Sequence, residues 1–183
     1  MGLDQYLTKK TYVKNWNFEK PEEKKEVIIK IGGKEAKNIK KERISEITED
    51  MGQWRKANAI HKWFVKNIQK GNDNCKEYYV SKENLEDLLK LCETVLKSSI
   101  LIKGKIKNGE RYENGKMEPI MEDGKYIKNP LIAKKLLPTE SGCFFGNTEY
   151  DQYYIQDIEN TIKIIKEALK DANNGDFYYS SSW

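Results

Sequence analysis

His61 is the only imidazole in a chain of 183 residues, so any histidine-dependent acid–base or Cys–His chemistry must pass through that one position. It falls seven residues after Trp54 and three before Phe64, a spacing that on a helix turns it toward the same face as those aromatics. A core histidine is the simpler reading, and His61 stands only as a minor catalytic candidate. Ser141 and Cys143, in the stretch ESGCFFG, are conceivable nucleophiles, but a cysteine that opens an apolar strand is more often a buried hydrophobe. The three cysteines, at 75, 92 and 143, form neither an even disulfide set nor a close metal-ligand spacing with His61. No metal or other cofactor is expected, and the thiols read as reduced in a cytosol.

Binding chemistry is better represented. Between Met51 and Asn72 stand five basic residues, Arg55, Lys56, Lys62, Lys66 and Lys70, and no acid, whereas Pro138 to Trp183 holds eight acids against three lysines. One surface should therefore be positive and another negative. With Trp54 and Trp63 interleaved, Arg55, Lys56, Lys62 and Lys66 have the components of a contact to an anion or nucleic acid, lysines neutralising phosphate and an aromatic stacking on a base. The competing reading is a solvated helix face backed by core tryptophans. Thr139, Ser141 and Gly142 form a polar turn that can present backbone N–H groups to an anion. Asp4, in an apolar and aromatic N-terminal run, needs a cationic partner, and Arg55 or a lysine is the natural one.

The elements that must position these groups follow from periodicity. Leu3 to Val13 and Glu26 to Ile31 are short strand-like runs, and Gly32-Gly33 should return the chain through Ala36 to Ile44 as an N-terminal meander. The three- and four-residue spacing of Trp54, Ala57, Ile60, His61, Phe64, Val65 and Ile68 predicts a helix over 53–70, stopped by Gly71. Tyr78 to Val80 reads as extended. Ser81 then caps a second helix over 82–97 that buries Leu85, Leu88, Leu89, Cys92, Val95 and Leu96. Asn108-Gly109, Asn114-Gly115 and Asp123-Gly124 punctuate an alternating stretch from Ile100 to Ile127, read as a β-hairpin excursion. Pro130 to Pro138 is a short turn or helix and Cys143 to Gly146 a small strand. Thr148 and Asp151 open a last helix over 149–171, Asn173-Asn174-Gly175 ends it, Phe177 to Tyr179 adds a strand, and Trp183 docks on the body.

The expected fold is α+β: one domain over 1–183, three main helices on a mainly antiparallel sheet, and one core joining Trp54, Phe64, Leu88, Ile158 and Ile162. The composition agrees, with 38% hydrophobic, 34% charged and 11% aromatic residues, too many aromatics for a disordered chain. The net charge of +4 disfavours a wholly acidic mimic of nucleic acid. The longest uncharged stretches fall far short of the roughly 18 to 20 apolar residues that cross a bilayer, and residues 1–7 are no signal sequence, so neither membrane insertion nor secretion is expected.

Several blocks together resemble a family. MGLDQYLTKKTYV, WRKANAIHKWFV, CKEYYVSKENLEDLL, LLPTESGCFFGNTEYDQYYIQDIENTI and the closing YYSSSW are similar to a widespread group of small proteins carried by phages and prophages. The likeness spans most of the chain except Leu101 to Ile132, which reads as a β-hairpin insertion. It implies no enzymatic activity and carries no catalytic residue onto these positions. It implies a non-enzymatic binding or inhibitory protein acting in the host cytosol on an immune-effector protein or a nucleotide signal, a counter-defence role. Two other classes stand beside it. One is a nucleic-acid-binding or processing enzyme using His61 and Arg55; the other is a homo-oligomeric structural accessory assembled through exposed Tyr and Trp.

Overall fold

The computed structural model describes residues 2–113, 115–142 and 144–183. Its centre is β1 (Asp4–Tyr12), along which Gln5, Leu7 and Lys9 turn inward at every second residue, as a strand with one covered face requires. Strand β4 (Glu46–Arg55) pairs along its whole length in antiparallel register, from Tyr12 opposite Glu46 to Asp4 opposite Arg55, with one irregularity between Leu7 and Thr8. On the other side lies the C-terminal strand β8 (Asp176–Ser182), followed by the short β5 (Tyr78–Val80). The four-stranded sheet has the order β4-β1-β8-β5 and is antiparallel throughout.

Strand β4 corrects the expectation of a helix from residue 53. Residues 46–55 alternate poorly, with Glu49 and Asp50 adjacent, so their period is weak, but β1 has a ladder of backbone groups to satisfy and β4 fills it. Trp54 reaches the core from this strand. It is 2% exposed and its indole N–H donates to Thr161 Oγ1 at 2.9 Å. The first helix, α1 (Asn58–Asn67), starts after Lys56, whose left-handed backbone (φ 60°) turns the chain out of the sheet. Gly71 closes the segment as expected, in a left-handed conformation with its N–H donating to Val65 C=O at 2.8 Å.

Helix α2 (Lys82–Ser98) is capped as read, Ser81 accepting from Asn84 N–H at 3.2 Å while Asn84 Oδ1 accepts from Ser81 N–H at 3.1 Å. The long hairpin of β6 (Leu101–Glu113) and β7 (Lys116–Ile127) follows. The chain reverses between Glu113 and Lys116; of the three expected turn dipeptides, Asn114-Gly115 falls there, but Asn114 lies outside the described residues. Asn108-Gly109 falls in a register shift between Lys107 and Glu110, and Asp123-Gly124 sits within β7 opposite Lys105 and Gly104. The base of the hairpin belongs to the body, since Ile106 and Ile127 are each 3% exposed.

Pro130–Pro138 contains a short helix, α3 (Leu131–Leu136). Residues 144–146 are not a strand. The last helix, α4 (Gln152–Lys170), is capped by Asp151, not Thr148: Oδ1 of Asp151 accepts from the N–H groups of Tyr153 and Tyr154 at 2.8 and 3.2 Å. The expected N-terminal meander shrinks to a hairpin of β2 (Lys30–Ile31) and β3 (Lys34–Glu35) around Gly32-Gly33. Both glycines have positive φ, as a tight hairpin turn demands; the rest of 13–45 is irregular apart from two 3-10 turns.

Helices α1 and α4 pack on the four-stranded sheet, and α2 packs against α4. Trp54, Phe64, Leu88 and Ile158 share one buried cluster with Ile162 at its edge, and Phe64 stacks on Tyr179 with ring centroids 3.8 Å apart. The α+β expectation holds. Among the described residues no helix is long and apolar enough to cross a membrane.

Candidate functional site

A cleft of about 840 Å³ opens where the β4–α1 turn, the base of β6, the loop 139–149 and the first turns of α4 meet. Two asparagine side chains build its floor, backed by the buried cap residue Asp151. Asn58, 5% exposed at the start of α1, donates through Nδ2 to the carbonyls of Phe145 (3.1 Å) and Asn147 (2.8 Å) and accepts on Oδ1 from Glu140 N–H at 3.2 Å. Asn147 in turn donates to Lys107 C=O at 3.1 Å and to Asp151 Oδ2 at 3.4 Å. The loop is thereby tied to helix, hairpin and helix cap at once, which leaves few buried polar groups on that side unsatisfied.

The rim has a different character. Arg55 and Lys56 are exposed at the end of β4, and Lys107 stands opposite, ion-paired with Glu110. Phe144 projects from the loop 67% exposed and in a left-handed conformation (φ 60°). Lys56 is left-handed as well, and Gly146 packs against it so closely that an added Cβ would lie 3.3 Å from Lys56 Cβ. Two non-glycine residues in this region of backbone space at one cleft mouth are a local cost of about 1 to 3 kcal/mol each, a kind of strain that gathers at functional sites.

Asp157 lines the inner wall from α4, half-buried and, among the described residues, without a hydrogen-bond partner for its carboxyl group. Burial first, and the neighbouring charge of Asp151 second, push its pKa up to about 7. The cleft therefore contains a carboxyl group held well above the ordinary carboxylate range.

The sequence-derived candidates divide. Arg55, Lys56 and Thr139 line the cleft, Thr139 fixed by donating from Oγ1 to Thr148 C=O at 3.0 Å. Lys62 does not; it pairs with Glu140 at 2.7 Å. Trp63 is 8% exposed and meets Phe64 edge to face, so it is a core residue and not a stacking platform. Lys66 and Ser141 are exposed and outside the cleft lining, and Cys143 lies outside the described residues. The expected single basic helix face does not form, because Arg55 and Lys56 precede α1. Arg55 Nε is 3.9 Å from Asp4 Oδ1, an ion pair without a hydrogen bond.

His61 sits behind the cleft wall, 1% exposed, with Phe145 edge-on against its ring at 5.3 Å. Its Nδ1 is 2.8 Å from Tyr179 Oη and its Nε2 2.9 Å from Asp73 Oδ2. Tyr179 also donates to Gln5 Oε1 at 3.1 Å, and Trp183 donates its indole N–H to Asp73 Oδ1 at 3.1 Å. Both ring nitrogens of His61 are thereby engaged, Nδ1 with the Tyr179 hydroxyl and Nε2 with the Asp73 carboxylate, so neither is free to act as a base toward the cleft, and Arg55 and His61 are not brought together. Burial also holds the Tyr179 phenol well above its ordinary pKa, so this is a chain of core hydrogen bonds.

Asn58, Asn147, Asp151 and Asp157 are the residues that sequence reasoning missed as site builders. Only Asp151 had a local signal, its position before the helix. No protein-family model, curated protein or solved structure matches the chain.

Proposed function

We propose that the protein acts by binding: the cleft captures a small phosphorylated ligand with an aromatic ring, a nucleotide by class. Arg55, Lys56 and Lys107 hold its phosphate and Phe144 stacks on its ring. The observation that carries this reading is the meeting, at one cleft mouth, of these cations with an aromatic side chain that is both 67% exposed and conformationally strained. An exposed ring forgoes burial, and stacking on a planar ligand restores it, while cations at the same rim favour phosphate. The volume of about 840 Å³ lies within the roughly 300 to 1,000 Å³ common for ligand pockets. Protonated Asp157 adds a donor inside the cleft for an acceptor on the ligand.

Binding is favoured over imidazole chemistry because both nitrogens of the sole histidine are engaged in the core. In the phage setting that the sequence resemblance implies, such capture would sequester a nucleotide signal of the host. A second reading has its own observation: a cleft carboxyl group with its pKa near 7 is suited to general acid–base work. Calorimetric titration with nucleoside monophosphates, cyclic dinucleotides and the matching nucleosides separates the two. Binding should require phosphate, weaken about tenfold or more in Phe144→Ala or in Arg55→Glu/Lys107→Glu, and return the ligand chemically unchanged. Absence of binding removes the proposal; a converted ligand, with conversion lost in Asp157→Asn, replaces it with the enzymatic reading.

A further inference from the structure

The excursion between β1 and β4 carries a second surface that shares no residue with the cleft. Residues 13–45 hold ten Lys and Arg against six acids. Among the described residues only Lys41 of these ten is ion-paired, with Glu35 at 2.6 Å. Two of the glutamates are occupied by the backbone: Glu19 accepts from Trp16 N–H at 2.6 Å and Glu23 from Lys20 N–H at 3.2 Å. Lys25 Nζ donates to Tyr12 C=O at 2.5 Å, and the other eight make no ion pair among the described residues.

Trp16 and Phe18 stand on this surface 52% and 83% exposed. Their rings are nearly parallel (13°), with centroids 6.1 Å apart, and Lys14 Nζ lies 4.8 Å from the Trp16 ring centre. Beside them runs a groove of about 350 Å³ lined by Lys14, Lys25 and Lys41 together with Glu26 and Glu42. The excursion is irregular yet pinned. Val13 and Lys14 donate to Ser45 C=O at 3.0 and 3.2 Å, and Asn15 and Lys25 exchange two hydrogen bonds at 2.7 and 2.8 Å. An offset pair of parallel rings with a lysine groove alongside is the arrangement that stacks successive bases while tracking a phosphate backbone.

From this juxtaposition we infer that the excursion binds single-stranded nucleic acid, Trp16 and Phe18 stacking on bases and the Lys14–Lys25–Lys41 groove following the phosphates. A lipid surface fits less well, because irregular backbone must keep its water and Glu19, Glu22, Glu23 and Glu26 interrupt the lysines. The test is fluorescence anisotropy of a short labelled oligothymidylate with the full chain between about 50 and 200 mM salt. Binding should weaken with a log–log slope of about −2, as three phosphate contacts on a single strand give. Trp16→Ala/Phe18→Ala should lower affinity about tenfold or more, and Lys14→Glu should lower it further, both at an unchanged melting temperature because these side chains are exposed. No binding at the lowest salt, undiminished binding by the aromatic double variant, or equal binding of polyglutamate or anionic vesicles would each overturn the assignment.

Discussion

Replacing His61 tests the difference between a core histidine and a catalytic one. His61→Ala removes a ring that is 1% exposed, packs edge to face with Phe145 and bridges Tyr179 to Asp73. The hydrogen bond to a carboxylate is worth about 1.5 to 3 kcal/mol and the bond to the phenol about 1 kcal/mol. Lost packing adds about 1 to 2 kcal/mol, for a total of about 3.5 to 6 kcal/mol. Tyr179 keeps Gln5 and Asp73 keeps Trp183, so neither is orphaned and the cost should stay at the lower end of that range. His61→Gln retains one partner at a time and should cost about 2 kcal/mol. With a urea dependence of about 2 kcal/mol per molar, the midpoints should fall by roughly 1.8 M for alanine and 1 M for glutamine. Ligand affinity of the folded fraction should be unchanged. A native midpoint for His61→Ala would refute the core network; a stable His61→Gln protein that binds but has lost an activity would restore a chemical role.

Three further outcomes follow from other sites. Gly52→Ala should cost about 1 to 3 kcal/mol, because its Cβ would fall 2.4 Å from Ile164 Cγ2 where β4 meets α4, and thermal melts will read this. Burial raises Asp157 from 3.8 to about 7, so between those values the native state holds a proton that the unfolded chain has lost; stability is full below about pH 4 and falls as pH rises to about 7. Melting temperatures across that range should decline more for the wild type than for Asp157→Asn, and affinity for an anionic ligand should drop as pH climbs through 7; parallel profiles would contradict this. Burial also pushes the Cys92 thiol up to about 12, so peptide mapping after alkylation should find exposed Cys75 modified and Cys92 untouched until denaturant is added.

What was legible in the sequence was what repeats locally. Ser81 and the apolar stripe of α2, the stripe of α4, and the alternation in β1 each express one period over many residues. The path of 46–58 was not legible, because Trp54 and Ala57 fit helical spacing by coincidence while the neighbouring strand decided the backbone. Arg55 and Lys56 were found by charge alone, yet their partner across the cleft, Lys107, came from a segment read as a peripheral hairpin. The floor was hidden for a further reason. Asn58 and Asn147 are polar residues 89 positions apart, and nothing in either neighbourhood announces the contact. Asp157 lies on a helix of conventional pattern, and its perturbation arises only from the burial that packing creates.

The most direct measurement is an amide ¹H–¹⁵N titration of the full chain with the nucleotide that binds most tightly in calorimetry. Shifts should concentrate at Arg55, Lys56, Asn58, Lys107, Phe144 and Asp157, the residues that meet at the cleft. Shifts confined to residues 13–45, or none at saturating nucleotide, would contradict binding there.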